Sequence, residues 1–560
     1  MTDAVSRLEE AVRDRPGATR PPRRLPSAPV RSLDDPEDLA RVHDAALFLR
    51  AFPRTPADLP ASEELLSRVA ARVATLAGSG ADLSALDTFE AAGVGGTELT
   101  MNDGWGAARW LALRHPSEAS LSWEGEPPDD RLAATLPRFL PFLSERALAD
   151  NGVPFRAWLE AALPRGARDG GLRFLVEAFE GLPLDDAGRA ELWDAMGLLV
   201  RWRPGRSSRT FARLPAGRPF VDAAPLVSRR DVSVARECER GDVAVRRLSR
   251  SEGETFLESA RAAVRVRYRE LFAFTAGNPA GAVVAELGRG LRLWCCGLLP
   301  ASRLPLRAGY GFLLARNGVP LGYGDAYALG DRLDLSFNVF YAFRDGESAF
   351  AYARTAAFFH RFLGTRTLSV DPYQVGAHNE EAIASGAFWF YRKLGFRSSD
   401  GAAEALARRE EARVLSRPGY RTQASTLRRL SAAPLLLDLP GGEAGRWDRF
   451  SLDALGLAIQ RRMEASRLGP RRFQEACERR VARAAGLDRT RLPHRLSAAL
   501  RGLAPVLDLL LARSSARAVE PRLLRDLVRA KGAASEAGYV KALRRPSPLR
   551  DLLASFRPRP

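Results

Sequence analysis

The chain has 560 residues, 46% of them apolar, enough for two or three domains that each bury a core. Its formal charge is +18, but 82 of its 85 basic residues are arginine, and with abundant Ala and Gly this bias points to a GC-rich bacterial genome rather than to arginine chemistry. Four cysteines, Cys238, Cys477 and the adjacent Cys295 and Cys296, form neither a zinc pattern nor a disulfide framework; with no apolar leader and no run of eighteen apolar residues, a cytoplasmic protein without a membrane role is expected.

Residues 1–33 are rich in Pro and Arg and read as a flexible tail. A helical domain is predicted over 34–203. Leu39, Val42, Ala46 and Leu49 line its opening helix, and Ser62 ahead of Leu65, Val69 and Val73 starts the next. Trp105, Trp110, Trp158 and Trp193 read as core anchors, since aromatics dominate burial in helical packing. Residues 204–240 read as a less helical linker.

The next stretch, 241–400, changes period. A strand at Val243–Leu248, helical spacing from Glu252 to Leu271 and a strand at Leu291–Cys296 lead to Asn317-Gly318, a strong hairpin signal between Tyr310–Arg316 and Pro320–Tyr327. Leu333, Leu335, Phe337 and Val339 then alternate with Asp334, Ser336 and Asn338, the period of a half-buried strand. Gly346 stands alone between Gly330 and Gly364, where the backbone is able to bend sharply. Ala349, Tyr352, Ala353, Ala356 and Phe359 form a helical stripe stopped by Gly364. Leu368 and Val370 make a short strand ended by Asp371-Pro372. A turn feeding a helix leaves backbone N–H groups facing outward, a site suited to phosphate or carboxylate.

Over 243–398 this order resembles the GNAT superfamily of acyl-CoA N-acyltransferases. The closing residues Asn379, Ala382, Ile383, Tyr391, Lys393, Gly395 and Phe396 carry the resemblance furthest, with Asn379 and Tyr391 twelve residues apart because ASGAF is inserted, which lengthens the helix or breaks it near Gly386. The resemblance implies that acyl-CoA, with acetyl-CoA the simplest donor, pairs its pantetheine arm with the strand ending at Val339 and sets its pyrophosphate on the turn of Arg344, Gly346, Glu347 and Ser348. Asn379 belongs to the same implied cofactor site. In that turn Phe343 stands at the family's Gln/Arg position and Ser348 at its Gly/Ala position; Asp345 and Glu347 are acidic, and an acid in a first helical turn also offsets the macrodipole. Tyr391 is implied as the general acid toward the departing thiolate, with a core aromatic as the other reading. A base for the acceptor ammonium is sought among Asp325, Asp334 and Asp371. Asp371 is favoured because it ends a strand, and His378 is the alternative. No metal site is expected.

Residues 401–445 read as an extension carrying a short strand at Leu435–Leu439, which either completes the core sheet or belongs to a connecting arm. Residues 446–560 read as short basic helices: Ser451 precedes Leu452, Leu455, Ile459 and Met463, and further runs lie at Arg472–Ala485, Leu496–Arg513 and Pro521–Lys531. Of the chain's net charge, +15 lies in 461–560. Contact with an acidic partner such as nucleic acid and a solvated arginine-rich surface both fit that charge. The fold class is therefore α+β multidomain: a GNAT-like mixed sheet flanked by helices, an all-helical N-terminal domain and a basic helical C-terminal region. Acyl transfer to a small-molecule or protein amine is the leading expectation. A non-catalytic GNAT-like scaffold touching nucleic acid and an aminoacyl-tRNA-dependent transferase of the Fem type are the alternatives.

Overall fold

Thr2–Arg13 is helical in the computed structural model, where a flexible tail was expected. Val5, Leu8 and Val12 recur at helical spacing and are at most 1% exposed, so three apolar side chains outweigh the Pro/Arg composition around them. The structure describes every residue except Met1, Ala18, 27–29, 125–128, 147–151, Arg165, Asp345, 515–518 and 558–560. Two compact units form: 1–225 with 256–276 and 316–320, and 226–255 with 277–315 and 321–560.

In the first unit, Asp35 caps Pro36–Ala51 by accepting from the Glu37 N–H, with proline at the first helical position where its missing N–H costs nothing. The next helix, Asp58–Gly78, starts earlier than expected. Ser62 lies inside it and donates to the Leu59 carbonyl at 2.8 Å. An all-helical domain is also corrected, because β1 (Leu99–Met101), β2 (Ala119–Ser122) and β3 (Leu199–Trp202) form an antiparallel sheet in the order β1-β3-β2. Strands of three or four residues are too short to register as alternation amid helices. Trp105 and Trp193 pack with ring centroids 5.7 Å apart, and both are buried core.

His115 follows the C-terminal end of the helix Trp105–Arg114 and lies between two carboxylates, Glu118 and Glu258, each 2.8 Å away. Burial opposes its charge, but the two carboxylates outweigh it and raise the imidazole pKa. A raised folded-state value means that the stabilisation is complete below the unfolded value of about 6.5 and fades as pH rises through the folded value. His115→Gln is therefore expected to lower the melting temperature of the protein more at pH 6 than at pH 9, as read by thermal circular dichroism; an equal loss at both would reject the ion pair as its source.

The division between the two units falls inside the predicted linker 204–240, between Pro225 and Leu226. Residues 204–225 belong to the first unit and 226–240 to the second, where Ser233 caps the helix Val234–Glu239 and buries Val234 and Cys238.

The second unit is built on a mixed sheet of ten strands among the described residues: β4 (Ala244–Arg247), β5 (Val283–Gly288), β6 (Leu291–Gly297), β7 (Ala308–Arg316), β8 (Val319–Leu329), β9 (Arg332–Leu335), β10 (Asn338–Val339), β11 (Thr367–Val370), β12 (Arg397–Ser398) and β13 (Leu435–Asp438). Their order is β12-β13-β11-β9-β8-β7-β6-β5-β4, with β10 against β8, so the Leu435 strand completes the core sheet. Asn317 at φ 50° and Gly318 at φ 83° supply the left-handed pair that a two-residue hairpin requires. The helix Ser348–Leu363 is buried along almost its whole length. Arg354, in its middle, is 2% exposed and holds Leu287 O, Glu237 and Asp242 at 2.8, 3.1 and 2.6 Å.

After the sheet come Gly401–Ser416 and the helices Leu452–Ser466, Pro470–Ala485, His494–Arg513 and Pro521–Lys531. Ser451 caps the first of these basic helices through the Ala454 N–H at 3.1 Å. No helix among the described residues is long and apolar enough to cross a membrane.

Candidate functional site

A two-residue turn, Gly330-Asp331, sets the register of β8 against β9 and β10: Leu329 faces Arg332, Ala326 faces Leu335 and Tyr323 faces Asn338. The same register extends through the irregular residues between β9 and β10, where the Ser336 N–H donates to Asp325 O at 2.9 Å. On its other side β9 pairs in parallel with β11, but only at Arg332, Leu333 and Asp334. Beyond that point β11 ends at Asp371-Pro372, while the β8-paired strand continues to Val339, so two parallel strands part company. Backbone groups alternate sides along a strand, and with Ser336 and Phe340 bonded to β8, Phe337 and Val339 turn theirs toward the vacated side.

Just past Val339 lies the predicted anion turn. Gly346 N–H donates to Phe343 O at 2.9 Å and Ser348 opens the helix; Asp345 lies outside the described residues. Glu347 is 5% exposed, accepts from the Val227 N–H at 3.0 Å and pairs with Arg289 at 2.9 Å, so its charge is neutralised rather than aimed outward. Arg344 is committed elsewhere, to Glu381 at 2.8 Å and to the face of Tyr341. Arg229 and Arg230 closely follow Val227; burial first, and then these two guanidiniums, lower the pKa of Lys393 below the usual lysine range against the opposing charge of Glu411. Arg229 and Arg230 thus lie on the segment that Glu347 holds through the Val227 N–H.

Tyr391 is 3% exposed, its ring 5.6 Å from both Tyr352 and Phe396 and 5.2 Å from Phe390. Burial pushes its phenol well above the usual range. Asp371 is exposed and caps the next short helix by accepting from the Tyr373 N–H at 2.9 Å. Asn379 accepts from the Ala382 N–H at 3.1 Å and donates to Tyr373 O at 3.0 Å, which makes it a helix cap with both ends of its amide in use. His378 is exposed, with φ at 56°. The ASGAF insert breaks the helix: Gly386 takes φ 66° and separates Glu380–Ser385 from Ala387–Arg392.

On the face of β8 and β9 opposite Leu333 and Leu335, polar cross-strand pairs are brought together: Tyr327 with Asp334, Asp325 with Ser336, and Tyr323 with Asn338. The Tyr327 hydroxyl donates to Asp325 at 2.9 Å, the Ser336 hydroxyl donates to the other carboxylate oxygen, and the Asp325 N–H returns a bond to Ser336 Oγ at 2.9 Å. Asp334 pairs with Arg332 at 2.8 Å and Arg307 at 3.1 Å, and these two guanidiniums overcome burial to hold its carboxyl below the usual range. Burial and the Asp325 charge raise the Tyr327 phenol. The backbones approach closely here, since a Cβ at Gly324 would lie 2.2 Å from Ser336 O.

Such a cluster suits proton transfer: one carboxylate oriented by two hydroxyls, half-exposed, at the strand divergence. Asp325 was among the sequence candidates but ranked behind Asp371. The signal that finds it is the two-residue turn at Gly330-Asp331, which places Asp325 opposite Ser336. Among the described residues no group of His, Cys, Asp or Glu is placed to hold a metal ion. No protein-family model matches this chain, and no curated protein and no solved structure matches it either.

Proposed function

We propose that the second unit transfers an acyl group from acyl-CoA, acetyl-CoA being the simplest donor, to an amine on a small molecule or protein. The observation that carries this reading is the parting of β9 from β11 after three paired residues, which turns the backbone of Phe337 and Val339 away from β8 on the side β11 has left. An extended donor arm with amides of its own is able to pair there as an added strand. The donor's phosphates would lie near Arg229, Arg230 and Lys393, with Glu347 already neutralised by Arg289.

The acceptor amine attacks the thioester carbonyl, the C–N bond forms, the C–S bond breaks and the thiolate leaves. In this reading Asp325 takes the proton of the acceptor ammonium, held in place by Ser336 and Tyr327. The strand amides steady the oxyanion.

Calorimetric titration of the full chain with acetyl-CoA and a longer acyl-CoA tests the reading. Saturable binding is expected, weakened by Arg229→Gln/Arg230→Gln. The absence of heat with either donor at high protein concentration would withdraw it and leave a non-catalytic sheet domain.

A further inference from the structure

The helix Pro470–Ala485 turns one face inward, with Phe473, Cys477, Val481 and Ala485 at most 4% exposed. On the opposite side, Arg472, Arg479 and Arg483 are exposed at spacings of seven and four residues. Such spacings fall within about 40° of one another around a helix and span about 16 Å along it.

The acids of this surface are already used. Glu475 pairs with Arg471 at 3.2 Å, Glu478 with Arg489 and Arg501 at 3.1 and 3.6 Å, and Asp508 with Arg480 and Arg462 at 2.6 and 2.8 Å. Arg472, Arg479 and Arg483 make no ion pair among the described residues. A second helix, Pro521–Lys531, repeats the pattern: Leu524, Leu527 and Val528 are buried while Arg522 and Arg529 are exposed and seven residues apart. Between them Arg525 donates to Ala485 O at 2.7 Å, which ties the second helix to the C-terminal end of the first.

We propose that these two arginine stripes form a docking surface for the phosphate backbone of duplex nucleic acid, read without regard to sequence. Unpaired guanidiniums in a row match a row of phosphates, and each bond formed releases a condensed counterion. A single strand would require stacking platforms, yet Phe473, Tyr539 and Phe556, the aromatics of 461–560, are at most 4% exposed. An anionic membrane would require an apolar face to insert, and the exposed large apolar residues nearby, Leu452 and Leu457, sit on a different helix. The inference stands apart from acyl transfer and does not rest on it.

The test is fluorescence anisotropy of the full-length protein with labelled 20-base-pair duplexes of DNA and RNA from 50 to 200 mM NaCl. Binding to at least one duplex is expected, with log affinity falling linearly in log salt. In the triple variant Arg472→Gln/Arg479→Gln/Arg483→Gln the slope should shrink by about 2–3 and the affinity at 50 mM should drop by about 10-fold or more. A control triple, Arg109→Gln/Arg156→Gln/Arg173→Gln, removes equal charge from ion-paired surface arginines of the first unit and should change neither. Circular dichroism confirms that both triples keep their fold. The proposal is overturned by a wild type that binds neither duplex at 50 mM, by equal losses in the two triples, or by tighter binding to the matching single strand or to phosphatidylserine vesicles.

Discussion

Asp325→Asn is expected to reduce turnover from acetyl-CoA by about 10²- to 10⁴-fold, the usual contribution of a positioned general base, while donor affinity stays within about twofold. The asymmetry follows from where the residue sits. Asp325 lies in the polar cluster of β8 and β9, whereas the donor's arm and phosphates are assigned to the strand end and the cations beside the helix. Asparagine has the same shape and keeps an acceptor for one of the two hydroxyls, so the ladder is expected to persist without a group that takes a proton. The check is thiol release against a panel of amines, with the pH profile of kcat/KM recorded for both proteins. A true base leaves an acidic limb in the wild type that the variant lacks. Turnover within a few-fold of wild type would remove Asp325 from the chemistry, even if acyl-CoA still binds.

The largest stability effect is expected at Asp103→Ala in the first unit. Asp103 is 0% exposed and Arg265 is 2% exposed, with Nε 2.7 Å from one carboxylate oxygen and Nη2 2.9 Å from the other. Removing the acid strands a buried guanidinium, a change that costs about 3–5 kcal/mol. For a domain of this size that corresponds to a melting temperature lower by about 6–20 °C. The pair is not itself a strong source of stability. Burial holds the Asp103 carboxyl above its ordinary range, and Arg265 only partly offsets it. The double variant Asp103→Leu/Arg265→Met is therefore expected to recover most of the loss, since two buried charges replaced by apolar groups of similar volume are close to neutral. Denaturant titration at pH 7 reads both variants. A double variant as unstable as the single one would mean that packing around Trp193, whose Nε1 donates to Asp103 O at 2.9 Å, governs the site instead.

Much of the ten-stranded sheet and its buried helix was legible because these elements are long enough to show a period. The hairpin at Asn317-Gly318, the alternation through Leu333 and Phe337, the stripe of the helix Ser348–Leu363 and the stop at Gly364 all rest on local preferences that the surrounding fold did not override. β5 was not read as a strand, because it joins β6 through Arg289-Gly290, a turn without the usual Asn-Gly or Asp-Gly marker. The three short strands of the first unit were invisible for a different reason. A run such as Leu199–Trp202 is two inward and two outward side chains, too few to distinguish from the end of a helix. Arg354 shows the limit of charge as a guide: it sits off the apolar stripe, yet partners from three other segments bury it.

The candidate site divides along the same line. Alternation, turn chemistry and helical spacing determined by themselves that a strand, a bend, a helix and a further strand follow one another between Leu333 and Val370, because each depends on residues a few positions apart. Tertiary structure alone decided that β9 and β11 part after Asp334, that the ring of Tyr352 meets Tyr391, and that Glu347 meets Arg289, whereas Asp371 caps a helix through Tyr373 two positions on and Asp325 finds Ser336 across a two-residue turn. These outcomes depend on partners tens of residues away, Arg289 for Glu347 and Tyr352 for Tyr391, which local sequence does not encode.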